Sequence, residues 1–261
     1  MKGKKRIVFL VSGLILGASL ANAQDASSIV HAARNRIDAA TESSRSRMVI
    51  TAKNGATTER AIDQYSKDDA QGNDRMVVVF QSPASVKGTR FLTIDKALGD
   101  SDRWIYLPNL GKVRRIAASE NSSSFMGTDF SYDDMSLMSR DTAKDTHTIL
   151  REETLNNAVC YVIQSIPKDS DFQYSKLMTW IDKRSYVTYK CEMYDKRGAL
   201  SKQMEMGAFK DIQGRLTPTQ ITVKTVSAGT STTIFVDIMK YDDPIPESVF
   251  TTAYLESGRA R

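Results

Sequence analysis

The chain has 261 residues, with 36 Lys and Arg against 31 Asp and Glu, two histidines and two cysteines. Its first 23 residues carry four of the basic side chains and no acidic one, so the remainder is nearly neutral and lacks the basic stripe that nucleic-acid binding requires. No HExxH, no Gly-x-Ser-x-Gly and no His- or Cys-rich spacing occurs, which gives no starting point for an enzyme, a metal centre or a cofactor site.

The chain opens on a basic start (Lys2, Lys4, Lys5, Arg6), an apolar run from Ile7 to Leu20, and Ala21-Asn22-Ala23. This is the pattern of a secretory signal peptide, residues 1–23, cleaved before Gln24, and residues 24–261 are then expected to form one exported domain. The run is shorter than the ~20 apolar residues of a spanning helix, and no cysteine follows it to accept a lipid. Next, Ser28 to Ala40 places Ile29, Ala32, Ala33, Arg36 and Ile37 at helical spacing, with Asp25, Ser27 and Ser28 as capping candidates.

From residue 47 the periodicity changes to two. "RMVITAKNGATTERAIDQYS" reads as a hairpin around Asn54-Gly55, followed by the strands "RMVVVFQSP" and "GTRFLTID" and the hairpin "WIYLPNLGKVRRI". The stretch "ENSSSFMGTDFSYDDMSLMSRD" interrupts this pattern, and Tyr132 to Met138 is expected to form a short helix within it. Strand-like runs then resume, from "THTILREE" to "STTIFVDIMKYD". Some twelve or thirteen strands, without a linker between them, predict one antiparallel sheet, sandwich or barrel. In Val187, Tyr189, Cys191 and Met193, and in Ile234, Val236 and Ile238, one face is apolar, so the sheet has a dry side. A sheet of this size curls as twist accumulates, and few helices are present to fill its concave side, which predicts a binding cavity.

Cys160 and Cys191 lie in strand-like runs of a chain expected to enter an oxidising compartment, and a disulfide between them is expected, two buried thiols being the alternative. Asp129, Asp133, Asp134 and Asp141 are concentrated in the irregular segment but lack the ligand pattern of a Ca²⁺ loop, so no metal is expected there.

The segments "VVVFQSPASVKGTRFLTI", "RWIYLPNLGKVRRIAASENSSSFMGTDFSYDDM" and "KLMTWIDKRSYVTYKCEMYDKRGAL" resemble the LolA-like family of outer-membrane lipoprotein-sorting proteins. The resemblance implies a mainly β fold, a strongly curved antiparallel sheet forming an incomplete barrel whose concave side is covered by helices. It also implies a periplasmic carrier of the acyl chains of a lipoprotein or lipid toward an outer-membrane acceptor, and members similar to this branch work beside membrane transporters of the resistance-nodulation-division class. In the well-studied carriers an arginine inside the barrel holds a lid closed through backbone carbonyls; Arg90 and Arg114 are the candidates here.

The expected cavity and lid residues are Phe91, Trp104, Tyr106, Phe125, Met126, Phe130, Met135 and Met138, with segment 121–138 as a ligand-displaced lid. Methionine suits such a surface because its thioether is flexible and polarizable. Acyl chains need only an apolar cavity, since removing them from water is favourable by ~25 cal/mol per Å². Trp104 and Tyr106 share one strand face; core packing is the alternative for Phe91. The competing function is a protein-interaction module that docks on a transporter or outer-membrane assembly and binds no lipid.

Overall fold

The structure, a computed structural model, describes residues 17–96 and 100–260, with side chains from Ala26 onward. Most of the predicted signal peptide lies outside the described residues, and so do the side chains around its expected cleavage site. Among the described residues no helix is long and apolar enough to cross a membrane.

Helix α1 spans Gly17–Arg34, followed by strands β1 (Glu42–Thr51), β2 (Thr57–Asp68), β3 (Asp74–Ser82), β4 (Arg90–Asp95), β5 (Asp102–Leu107) and β6 (Lys112–Arg115). An irregular segment, 116–144, precedes β7 (Asp145–Leu155), β8 (Ala158–Pro167), β9 (Lys176–Asp182), β10 (Thr188–Tyr194), β11 (Leu200–Ile212), β12 (Arg215–Thr225), β13 (Thr230–Tyr241) and helix α2 (Thr252–Ser257). The helix expected over 28–40 ends at Arg34, because the chain must turn there to enter β1; Arg36 Nη1 donates to the Leu216 carbonyl at 2.5 Å and holds that turn. The short helix expected over 132–138 is a single 3-10 turn, Asp134–Ser136.

All thirteen strands form one antiparallel sheet in the order β6-β5-β4-β3-β2-β1-β13-β12-β11-β10-β9-β8-β7. Two meanders run outward from the β1–β13 pair, so β6 and β7 are the two edges, and the sheet is an unclosed barrel. One consequence is topological. The connection from β6 to β7 joins the sheet's opposite edges, and segment 116–144 therefore has to cross the open side. The turns follow local chemistry: Asn54-Gly55 closes β1–β2, with Gly55 at φ 84°, a left-handed conformation that glycine adopts without strain.

The alternation of each strand sends side chains to two different cores. Met48, Ile62, Val78, Phe80, Phe91 and Ile105 from one flank meet Cys191, Met193, Met204 and Val223 from the other in a single cluster, which is possible only inside the curve. On the convex side Val77, Val79, Leu92, Trp104 and Tyr106 pack beneath Ile245, Val249, Phe250 and Leu255 of the C-terminal segment. That strap is fastened by Arg75 Nη1 donating to Glu247 at 2.8 Å and by Arg90 Nη1 donating to the Leu255 carbonyl at 2.7 Å. A Cβ at Gly258 would collide with the Arg90 guanidinium, so the strap ends on glycine.

The apolar rows are only partly as expected. Cys191 and Met193 are buried in the inner core, but a bulge displaces β13 against β1 between Arg45 and Ser46, and Ile238 beyond it is exposed. The disulfide expectation is overturned: Cys160 and Cys191 are both free and buried. Across β9, Cys160 stands opposite Asp182 and Cys191 opposite Thr179, an odd separation that puts them on opposite faces of the sheet. Cys160 packs with Val162, Met178 and Trp180 outside the curve, while Cys191 packs inside it.

Candidate functional site

Segment 116–144 closes one end of the half-barrel and leaves the other open. At the closed end Phe125 and Tyr132 stack on Phe91, with ring centroids 5.1 and 5.6 Å away, and Phe125 also meets Phe80 at 5.8 Å. Phe130 is buried in the same cluster, and Met126 packs against it at a positive φ of 54°. Arg60 Nη1 donates to the Met126 carbonyl at 2.7 Å, with its guanidinium 5.8 Å from the Phe80 ring centroid. Inside the curve it is Arg60 that bonds the backbone of segment 116–144. Arg90 is occupied on the convex side by Leu255, and Arg114 pairs with Glu120 near the surface.

Three carboxylates fix the rest of the lid. Asp129 accepts from the hydroxyls of Thr225 at 2.6 Å and Thr232 at 2.8 Å, and also from Thr230, at the β12–β13 end. Asp134 accepts from Lys202 Nζ at 2.6 Å, the Tyr174 hydroxyl at 2.7 Å and the Ser131 N–H at 2.8 Å. Asp133 turns the other way, its Oδ1 lying 3.2 Å from Nη1 of the buried Arg103 on β5. Burial pushes the Asp133 carboxyl up from the usual aspartate range, against the pull of Arg103. Adjacent lid residues thus tie down opposite flanks of the sheet. Asp141, the fourth of the cluster, caps a 3-10 turn by accepting from the Ala143 N–H. Among the described residues no group of three or more His, Cys, Asp or Glu side chains is placed to hold a metal ion.

At the open end lies a cavity of about 1510 Å³ between the sheet, the lid and the C-terminal end of α1. Its apolar floor comes from Met76, Met206 and Ile221 on the strands and from Met135, Leu137 and Met138 on the lid. The register explains this. Glu42, Ser66, Met76, Thr93 and Arg103 are successive partners across β1 to β5, so one row of inward-facing positions supplies both a floor methionine and its charged margins. Toward the mouth the walls are charged, with Glu42, Asp68, Asp74 and Asp95 on the strand ends and Arg34, Arg140, Lys144 and Lys168 around the lid. Burial pushes the Glu42 carboxyl up to about 7 and Asp74 up to about 6; the neighbouring carboxylate Asp74 adds to the first, and Asp95 and Asp68 to the second. Arg140 Nε donates to Asp145 at 3.0 Å, Arg34 reaches the same carboxylate at 3.6 Å and also donates to the Arg140 carbonyl, and the Arg140 guanidinium lies 4.0 Å from the Phe172 ring centroid. A second, small hollow under α1, bounded by Val30, Leu137, Met138, Leu177 and Cys191, adjoins the cavity through shared walls.

Of the eight expected residues, then, Met135 and Met138 line the cavity, and Met138 is 36% exposed there. Phe91, Phe125, Met126 and Phe130 form the plug at the closed end. Trp104 and Tyr106 are corrected outright: Ile105 is the inward residue of β5, and its two aromatic neighbours point to the convex face under the C-terminal strap. The floor residues Met76, Met206, Leu137 and Ile221 escaped the sequence reading, although Met204 and Met206 alternate visibly in β11. Of the two histidines, His31 of α1 lines the cavity and His147 does not. His147 is buried with Nδ1 2.7 Å from Ser165 Oγ and Nε2 3.1 Å from the Thr142 carbonyl, and burial holds its pKa below the usual range.

A family model described as "Uncharacterized protein" matches residues 72–257. No curated protein matches this chain. Among solved structures, a domain named for outer membrane lipoprotein sorting from Vibrio parahaemolyticus is 26% identical, with a TM-score of 0.85 over 90% of this chain and 100% of its own. A DUF1329 family protein from Desulfovibrio piger is also 26% identical, at a TM-score of 0.85 over 90% of this chain and 99% of its own. A LolA superfamily protein from Nitrosomonas europaea shares the fold at 21% identity and a TM-score of 0.70, over 88% of this chain and 98% of its own. The chain belongs to the family of that model, and its unclosed antiparallel barrel, crossed by its own β6–β7 connection, is the LolA-like fold that these structures share over 88–90% of it.

Proposed function

We propose that this protein is an exported carrier that holds acyl chains in the cavity between the sheet and segment 116–144 and passes them toward the outer membrane. The observation that carries the reading is the methionine-rich floor, Met76, Met135, Met138 and Met206, of a cavity of about 1510 Å³ inside the half-barrel. Thioether side chains accommodate chains of varied length and unsaturation at little cost, and burial of the acyl surface at ~25 cal/mol per Å² supplies the binding energy without a reaction. The signal peptide over 1–23 and a single domain over 24–261 belong to the same reading, as does a periplasmic location. Export is what passing acyl chains toward the outer membrane requires.

The lid has the construction of a two-state element. Its aromatic half, Phe125, Phe130 and Tyr132, is part of the core; in residues 135–140 Leu137 still reaches that core with Met135 packed against it, while Met138 is partly exposed in the cavity and Arg140 is held by Asp145. Ligand entry would shift the second half and leave the first in place. Native mass spectrometry of the protein drawn from the periplasm tests the proposal: a bound species that dissociates to give acyl chains is expected. A protein that leaves the periplasm without lipid and takes none from vesicles would favour the module that works beside a transporter through protein contacts alone.

A further inference from the structure

Arg103 is the least satisfied charged group in the cavity wall. It is 4% exposed, yet Nε and Nη1 are buried without a hydrogen-bond acceptor. Asp133 Oδ1 lies 3.2 Å from Nη1 and Asp95 Oδ1 lies 3.7 Å from Nη2, close enough for charge compensation but not aligned to take the N–H groups. Arg140, which lines the same cavity from segment 116–144, leaves Nη2 buried and without an acceptor, and Lys144 is close enough for its pKa to be lowered by burial and by the charges of both guanidiniums. Buried donors without acceptors are uncommon and costly in folded proteins. Here both guanidiniums line the same cavity, and the charges of both reach Asp133 and Lys144.

A guanidinium fork is shaped for two parallel hydrogen bonds to one anion, and a tetrahedral phosphate offers several oxygens to serve two forks together. We infer that the cargo carries a phosphate, and that Asp133 holds its place on Arg103 while the lid is closed. This rests on the carrier reading and narrows it: a glycerophospholipid qualifies, whereas the diacylglyceryl thioether of a lipoprotein, which has no phosphate, does not. With acyl chains on the methionine floor, the phosphate lies toward Arg103 on β5, with Arg140 lining the same cavity. The lid's Asp133 leaves as the phosphate arrives, so lid opening and headgroup capture are one exchange. Of the acidic groups at the mouth, Asp74 lies two strands from Arg103, about 10 Å at ~4.8 Å per strand, while Asp95 stays 3.7 Å from Nη2 and shares the guanidinium with the phosphate.

Displacement of a fluorescent fatty acid from the full exported protein measures this, with dioleoyl phosphatidylglycerol, dioleoyl phosphatidylethanolamine, dioleoylglycerol and inorganic phosphate as competitors. Both phospholipids are expected to compete at least tenfold better than dioleoylglycerol, and inorganic phosphate not at all. Arg103→Gln should bring the two classes level by weakening the phospholipids while dioleoylglycerol is unchanged. Should that variant fail to fold, Asp133→Asn, which removes the competing carboxylate, should improve the phospholipids several-fold and leave dioleoylglycerol alone. Equal competition by dioleoylglycerol in the wild type, or displacement by inorganic phosphate as strong as by lipid, overturns the phosphate assignment and leaves the carrier intact. Failure of the fluorescent fatty acid and of every lipid to bind overturns both.

Discussion

The Lys202 ammonium donates to the Asp134 carboxylate at 2.6 Å, joining the middle of the lid to β11 across the inside of the half-barrel. Asp134 is fully buried and also accepts from Tyr174, whose hydroxyl is pushed well above the usual phenol range by burial and by that carboxylate. Removing one partner of such a pair leaves an uncompensated charge in the core. Asp134→Ala is therefore expected to destabilise the fold by about 3–5 kcal/mol, and replacing both residues by apolar ones of similar size to recover most of it. Urea unfolding of the three proteins decides this, and an Asp134→Ala loss below about 1 kcal/mol would mean the pair adds nothing.

Aromatic residues on the two faces should behave differently. Phe125→Ala empties the plug and is expected to cost about 3–5 kcal/mol. Trp104 is only half-buried under the C-terminal strap, so Trp104→Ala should cost about half as much, release the strap to proteolysis near α2 and leave lipid binding unchanged. Limited proteolysis beside a lipid-displacement assay distinguishes this from a cavity role, for which Trp104→Ala would abolish displacement.

The carboxyls at the mouth give the protein a pH dependence of definite sign. Asp74 rises from 3.8 to about 6 and Glu42 from 4.5 to about 7, so the folded state keeps these protons longer than the unfolded chain does. Their contribution to stability is then fully present below about pH 4 and is lost as pH rises through 6 to 7. Asp74 faces Asp68 and Asp95 from the adjoining strands and bonds Ser139 of the lid, so Asp74→Asn should keep the lid contact and flatten the decline between pH 4 and 6. Thermal melts of wild type and variant across that range would contradict the assignment if their slopes coincide.

Both cysteines should remain thiols after export. Burial pushes the Cys191 thiol up to about 12, and the sheet itself stands between it and Cys160. Maleimide applied to the unfolded protein without reductant is expected to add two labels; none would show a disulfide.

The strand order of events was legible because period-two alternation survives in almost every segment, and the lid was legible because Ser, Asn, Gly and Asp interrupt it. The direction of curvature was not. Alternation separates Trp104 and Tyr106 from Ile105 but does not say which set turns inward, and the larger side chains belong to the outer face. Parity across an intervening strand was equally hidden: whether Cys160 and Cys191 share a face depends on the registers of β8, β9 and β10, including a bulge near Tyr189. The lid's fastenings join residues far apart in sequence, Asp134 to Lys202 and Asp129 to Thr232, and no local pattern announces them. Met135 and Met138 were found because apolar residues in a polar, irregular segment need a partner surface, and that surface is the methionine floor.

The account stands on acyl chains lying on that floor, and a phospholipid with a diazirine in its acyl chain reads their position directly. After illumination and peptide mapping, labels are expected at Met76, Met206 and Ile221 on the strands and at Leu137 or Met138 on the lid, and the Met135→Asp/Met138→Asp variant should lose them while melting closer to wild type than Phe125→Ala does, since an unpaired carboxylate disfavours acyl contact and Met135 packs only at the margin of the core while Met138 is partly exposed. Labels confined to the convex face around Trp104, Tyr106 and the C-terminal strap, or undiminished in the variant, would contradict it.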